Sequence, residues 1–170
     1  MKKTNWIRPI AGIILLGYIA VLFKVIILKH MPMSLFIEAV VESPVLHLLP
    51  RPFEQCNFVP LKTIQLYIDS YGLINRDIII NNLFGNVLLF TPLGMLMKLY
   101  FVKRPRVWAL FLMGVLLSFS FEIMQYISGV GVADIDDVIL NAFGLALGLP
   151  VGMIINHWIY RKKGKEETYE

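Results

Sequence analysis

The chain has 170 residues, one domain's worth, with 57% hydrophobic and 16% charged residues and a formal net charge of +4. A soluble domain carries about 25% charged residues, so this chain has too little polar surface to coat a water-soluble globule. The basic excess would suit nucleic acid only if it were clustered on one domain, and it is instead split between the ends of apolar runs.

Pro9–Leu28 is the first run long enough to cross a bilayer, which takes about 20 mostly apolar residues, and only Lys24 interrupts it. Lys2, Lys3 and Arg8 precede it, as in a signal peptide. Its apolar run exceeds the roughly 7–15 residues of a signal core, and no small-x-small cleavage site comes promptly after it. An uncleaved anchor is expected.

Residues 29 to 77 then form a long segment rich in large apolar side chains. Within it, "SLFIEAVVES" carries Glu38 and Glu42 four apart and predicts a short helix with one wet edge. Pro44, Pro50 and Pro52 punctuate the chain after that helix. "NFVPLKTIQLYIDSYG", residues 57 to 72, predicts a second helix, with Pro60 in its first turn and Gly72 at its end. Leu61, Ile64, Ile68 and Tyr71 share a stripe, and Lys62, Gln65 and Asp69 fall elsewhere. Such a helix lies at the outer interface or caps the bundle. Cys56, the single cysteine, has no partner for an internal disulfide and no metal motif around it.

Ile78–Met97 is the second predicted span, Val107–Ile127 the third, and Val138–Ile155 with an extension to Tyr160 the fourth. Lys98, Lys103, Arg104 and Arg106 lie between spans two and three, and Arg161, Lys162, Lys163 and Lys165 come after span four. With Lys2, Lys3 and Arg8, they fall on one side of a four-span threading. The other side has Lys29, Arg51, Lys62 and Arg76 against Glu38, Glu42, Glu54, Asp69, Asp77, Asp134, Asp136 and Asp137. The positive-inside rule therefore places both termini in the cytoplasm. The expected fold is all-α: a single membrane domain over residues 1–170, built as a polytopic bundle of four transmembrane helices. An amphipathic external segment joins helices one and two, and residues 161–170 form a charged cytoplasmic tail. Membrane lipids are the expected surroundings, and nucleic acid is not an expected partner.

The threading brings the costly polar residues to one depth. Asn81, Asn82 and Asn86 lie in the outer half of span two, and Glu122 and Gln125 of "SFSFEIMQY" in the outer part of span three. Asp134, Asp136 and Asp137 open span four, Asn141 sits one turn below Asp137, and Lys24 lies near the outer end of span one. A charge at a membrane-helix centre costs roughly 2.5–3.5 kcal/mol on insertion scales, so such groups face a bundle interior or a watery cavity. Asn82 and Asn86 share a helix face, as do Asp137 and Asn141, while Glu122 and Gln125 share another with Ser118. An outward-opening polar pocket is expected, with Asn82, Asn86, Glu122, Gln125, Asp134, Asp137 and Asn141 as ligand-binding candidates. Glu122 and Asp137 are the candidates for acid–base catalysis.

Plain structural roles compete with these. Asp134 suits the N-cap of span four, with Asp137 at the third helical position of an acidic capping box. The asparagines suit interhelical glue at about 0.6 kcal/mol each, and Lys24 can snorkel to the headgroups. Gly144, Gly148 and Gly152 form a small-xxx-small ladder, a packing seam or the contact face of a homodimer, and Gly85 is expected to allow a similar approach. Pro92 in "TPLG" should kink span two, with Thr91 helping to satisfy the freed carbonyl. His30, His47 and His157 share no metal-ligand spacing, and neither a metal nor a cofactor is expected.

"NFVPLKTI", "NLFGNVLLFTPLG", "SFSFEIMQY" and "DIDDVILNAFGLALG" occur in the order seen in the VanZ-like family of bacterial membrane proteins, which this chain resembles over about residues 55–152. The resemblance marks Asn57, Pro60, Asn82, Asn86, Pro92, Gly94, Glu122, Gln125, Asp134, Asp136, Asp137, Asn141 and Gly144. Family members often carry a basic residue, commonly Arg, just before the acidic run. Here the stretch is "GVGVADIDD", so a salt bridge to it would need Arg76, Lys62 or Lys24. The family takes its name from a teicoplanin-resistance protein, which implies a cell-envelope role but supplies no reaction. The expected function is binding of a lipid-linked cell-wall precursor or a lipoglycopeptide in the outward pocket. The alternative is a membrane-embedded acid–base or metal-assisted enzyme acting on an envelope lipid. Transport by proton relay fits less well, since four spans show no inverted repeat.

Overall fold

The computed structural model describes residues 6–27, 55–102, 105–128 and 132–166. These hold five helices and no strand: α1 Ile7–Ile27, α2 Lys62–Asp69, α3 Arg76–Tyr100, α4 Val107–Ser128 and α5 Ile135–Glu166. Four are long and apolar enough to cross a membrane, over Arg8–Ile27, Arg76–Tyr100, Val107–Ile127 and Ile135–Ile159. The all-α fold and the four spans agree with the sequence. The helix expected around Glu38 and Glu42 lies outside the described residues.

Apolar side chains on α1, α3, α4 and α5 divide into two sets. Leu15, Leu22, Phe90, Leu93, Leu110, Phe121, Leu145 and Leu149 are buried together. Ile13, Leu16, Leu88, Leu116, Phe143 and Ile154 are exposed around the outside. Water would penalise such a surface, whereas lipid tails solvate it.

The closest seam is between α3 and α5. A Cβ on Gly144 would collide with Val87 O, one on Gly148 with Thr91 O, and one on Gly152 would meet Met95 O at 2.7 Å. Partners advance by four residues on both helices, so α3 and α5 run in the same direction with their backbones touching. The glycine ladder is thus occupied within the chain, and a second copy could reach these glycines only by displacing α3. Gly85 has nothing within 4 Å, and the close approach expected there is absent. Along α4 the order reverses. Gly114 meets Leu145, Ser118 pairs with Asn141, and Glu122 reaches Asp134. α1 runs with α4: Gly12 packs on the Tyr100 ring, Tyr18 donates to Leu89 O at 2.8 Å, and Ile26 O meets Gln125.

The two ends of the bundle therefore differ. One gathers Arg8, Lys98, Tyr100 and Arg106 with Trp6, Trp108 and Trp158, all three exposed. Tryptophan prefers the membrane–water interface. The other end gathers the polar candidates and α2.

Two local expectations are corrected. Thr91 Oγ1 donates to Val87 O at 2.8 Å, not to Leu88 O, which is the carbonyl left without a donor by Pro92. And α2 begins at Lys62, with Leu61 as its N-cap at φ 67°, so Pro60 precedes the cap instead of sitting in the first turn. No residue of α2 is buried. Of the predicted stripe, Leu61, Ile68 and Tyr71 are exposed and Ile64 is half-buried. Thr63 and Tyr67 make the polar contacts with the bundle.

Candidate functional site

A helix start leaves its first backbone N–H groups without partners. At the start of α5, Asp134 meets that need as an N-cap, its Oδ1 accepting from Asp136 N at 2.8 Å. In a capping box the third helical residue would reach back to the cap's own N–H. Here Glu122 of α4 does so, accepting from Asp134 N at 2.9 Å. Asp137, expected in that role, instead accepts from Asn86 Nδ2 at 2.6 Å. The carboxylate inside "SFSFEIMQY" is only 5% exposed. It faces the positive end of a helix dipole, which accounts for its place in an apolar span.

The start of α2 is capped from another helix as well. Leu61 offers no side-chain acceptor. Asp136 of α5, 0% exposed, accepts from the backbone N–H of Leu61, of Thr63 at 2.7 Å and of Ile64 at 3.1 Å. Bonds from amides to a charged acceptor are about twice as strong as neutral ones. The neighbouring backbone is tied down too: Asn57 N donates to Ala133 O and Ile135 N to Asn57 O, each at 2.9 Å. Asp134 further accepts from Asn57 Nδ2 at 2.8 Å and Thr63 Oγ1 at 2.6 Å. Amide and hydroxyl donors thus fill Asp134 and Asp136, in place of the salt bridge expected from Arg76, Lys62 or Lys24. The Arg76 guanidinium lies 5.4 Å from the Tyr71 ring centroid.

Gln125 and Asn156 show the same pattern. Gln125 Nε2 donates to Ile26 O in the last turn of α1 at 3.3 Å. Asn156 Nδ2 donates to Lys98 O near the end of α3 at 2.7 Å, and Lys98 Nζ covers the next carbonyls, Phe101 O and Val102 O.

Further side-chain pairs join the helices. Asn82 Nδ2 donates to the Tyr67 hydroxyl at 2.9 Å. Asn86 and Asp137 pair one turn deeper. Below them Asn141 Nδ2 donates to Ser118 Oγ at 2.8 Å in a fully buried layer. Burial pushes the Tyr67 phenol above its ordinary value and the Asp137 charge adds to that, while the bond from Asn82 pulls the other way. Asn81 and Lys24 are exposed. Among the described residues, no three His, Cys, Asp or Glu side chains are placed to hold a metal.

Asn82, Asn86, Glu122, Asp134, Asp137 and Asn141 thus stand at one end of the bundle, and Gln125 at the same end turns to α1. The residues expected from the sequence did not include Thr63, Tyr67, Ser118 or Asp136 as ligand-binding groups. Thr63 and Tyr67 are four apart on α2, a spacing that could have flagged them. Asp136 was visible in the acidic run.

The VanZ/LLP1 family model matches residues 13–156, which reaches back into α1 beyond the stretch that the motifs cover. Protein VanZ of Enterococcus faecium is 38% identical over 78 residues, 46% of this chain and 48% of that protein. The alignment thus spans about half the length of this relative. No solved structure matches the chain.

Proposed function

This chain is a multi-pass membrane protein of the VanZ/LLP1 family, and from that premise we propose that it binds a lipid-linked cell-wall component or a lipoglycopeptide. Binding would affect teicoplanin susceptibility, as the family's name implies. The observation that carries this reading is the meeting of Tyr67, Asn82, Asn86 and Asp137 at one end of an apolar bundle. Glu122, Asp134 and Asp136 serve helix starts there, and these four are half-buried polar groups beside them. Amide, phenol and carboxylate groups suit hydroxyl-, amide- or amine-bearing headgroups, and the apolar flanks suit a tail.

Arg8, Lys98 and Arg106 at the opposite end favour the cytoplasmic side for that end and for both termini. The polar end then faces outward. The acid–base enzyme reading draws less support, because Glu122 is engaged by Asp134 N.

The test compares teicoplanin susceptibility and envelope lipids in cells lacking the protein, with wild type, and with Asp137→Asn. The wild type shifts susceptibility, and Asp137→Asn at equal membrane level loses most of the shift. An unchanged shift in that variant contradicts the reading.

A further inference from the structure

We propose that Ser118, Glu122 and Asn141 bind one monovalent cation, sodium in preference to potassium, at the seam between α4 and α5. The site goes beyond the binding role proposed above and does not depend on it.

Asn141 supplies the observation. Its Nδ2 is engaged by Ser118 Oγ at 2.8 Å, and its Oδ1 is buried without a hydrogen-bond donor. Asn141 is 3% exposed and Ser118 0%. Both amide ends belong to one small planar group, so Oδ1 lies at the same seam as Ser118. An orphaned acceptor inside a protein is costly, and a bound water or ion is a usual remedy.

Helix register brings a carboxylate to that seam. Glu122 stands one turn beyond Ser118 on the same face of α4. Helical side chains lean toward the N-terminus of their own helix. Asn141 therefore leans toward the start of α5, where Glu122 accepts from Asp134 N. Among the described residues, the side-chain charges that act on Glu122 are those of Asp137 and Asp134, both negative. Asn156 makes the contrast. Its Oδ1 is orphaned too, but Asn156 Nδ2 bonds Lys98 O, and Lys98, itself buried, brings a positive charge to that layer. At Asn141 the charged neighbour is an anion.

The donor set selects the ion. An amide oxygen, a hydroxyl oxygen and one carboxylate are hard oxygen ligands carrying a single negative charge. Calcium and transition metals take more carboxylates, or His and Cys, and no three such side chains are placed for that among the described residues. A water could donate to Asn141 Oδ1, but it would leave the Glu122 charge opposed by a helix start alone. Ser118 and Asn141 touch directly in a fully buried layer, which favours the smaller alkali ion.

The experiment counts radioactive sodium bound to the purified full chain, with choline chloride holding the ionic strength constant, and follows melting in the same buffers. Saturable binding of one sodium per chain is expected, with a Tm that rises with sodium and not with choline. Potassium should compete more weakly. Ser118→Ala deletes one ligand oxygen and should raise the half-saturating sodium concentration about tenfold. Ser120→Ala should leave it unchanged, because that hydroxyl bonds Leu116 O of its own helix. Asn141→Asp adds a negative ligand and should lower it about tenfold. Glu122→Gln keeps an acceptor for Asp134 N and should abolish saturable binding, which keeps the test decisive if Ser118→Ala does not fold. No saturable sodium, equal melting in sodium and choline, tighter binding of potassium, or wild-type affinity in Glu122→Gln overturns the proposal.

Discussion

Replacing Glu122 by leucine and by glutamine separates its structural role from any other. Glu122 is 5% exposed and accepts the Asp134 N–H at 2.9 Å. Leucine removes that acceptor and leaves a buried donor unpaired, which costs about 1–3 kcal/mol. The expected loss is about 1–3 kcal/mol. Glutamine keeps an acceptor oxygen at the same reach, so its loss is smaller, about 0.5 kcal/mol. For a chain of this size, 1 kcal/mol shifts Tm by about 2–4 °C. Thermal unfolding of the purified full chain should therefore rank wild type, Glu122→Gln and Glu122→Leu in falling order, with the last gap the larger. Equal Tm for the leucine and glutamine variants would refute the capping role. If Glu122→Gln keeps its Tm within a few degrees but abolishes the susceptibility effect, Glu122 belongs with the ligand-facing groups.

Gly148→Ala drives a Cβ into Thr91 O and should prevent accumulation of folded protein. Gly85→Ala meets nothing within 4 Å and should raise Tm, by the equivalent of about 0.5–1 kcal/mol; membrane levels and melting check both. Asp136→Ala leaves three amides of the α2 start unpaired and should expose residues 57–72 to limited proteolysis while the long helices persist by circular dichroism. Tyr67, raised in the fold by burial and the Asp137 charge, favours its neutral form there. Its contribution is complete below its unfolded value near pH 10 and is lost as pH rises through the raised folded value. Melting curves across that range should fall less steeply for Tyr67→Phe.

The long helices were legible because hydropathy and helix length are local properties. The second span was expected at Ile78–Met97 and the helix runs Arg76–Tyr100, extended by an Asn75 cap onto Asp77 N that hydropathy ignores. The close packing of Gly144, Gly148 and Gly152 was legible as well, but its partner was not. The period of small residues says that a backbone approaches, not which one. The same gap explains the polar residues. Their gathering at one end could be inferred from depth, but depth does not say what each one faces. Glu122 and Gln125 both serve the ends of other helices, a role fixed by how α4 meets α1 and α5. At α2 the Pro60 signal was overridden by tertiary structure. Asp136 captures the Leu61 amide with Leu61 in the left-handed region, and the helix starts at Lys62.

The most direct test is equilibrium binding of teicoplanin and of a lipid-linked cell-wall precursor to the full chain in nanodiscs, wild type beside Asp137→Asn. Saturable binding of one of the two by wild type, weakened about tenfold in the variant by loss of a charge-assisted bond, is the predicted result. Saturable binding of neither, or equal affinity in both proteins, would contradict it.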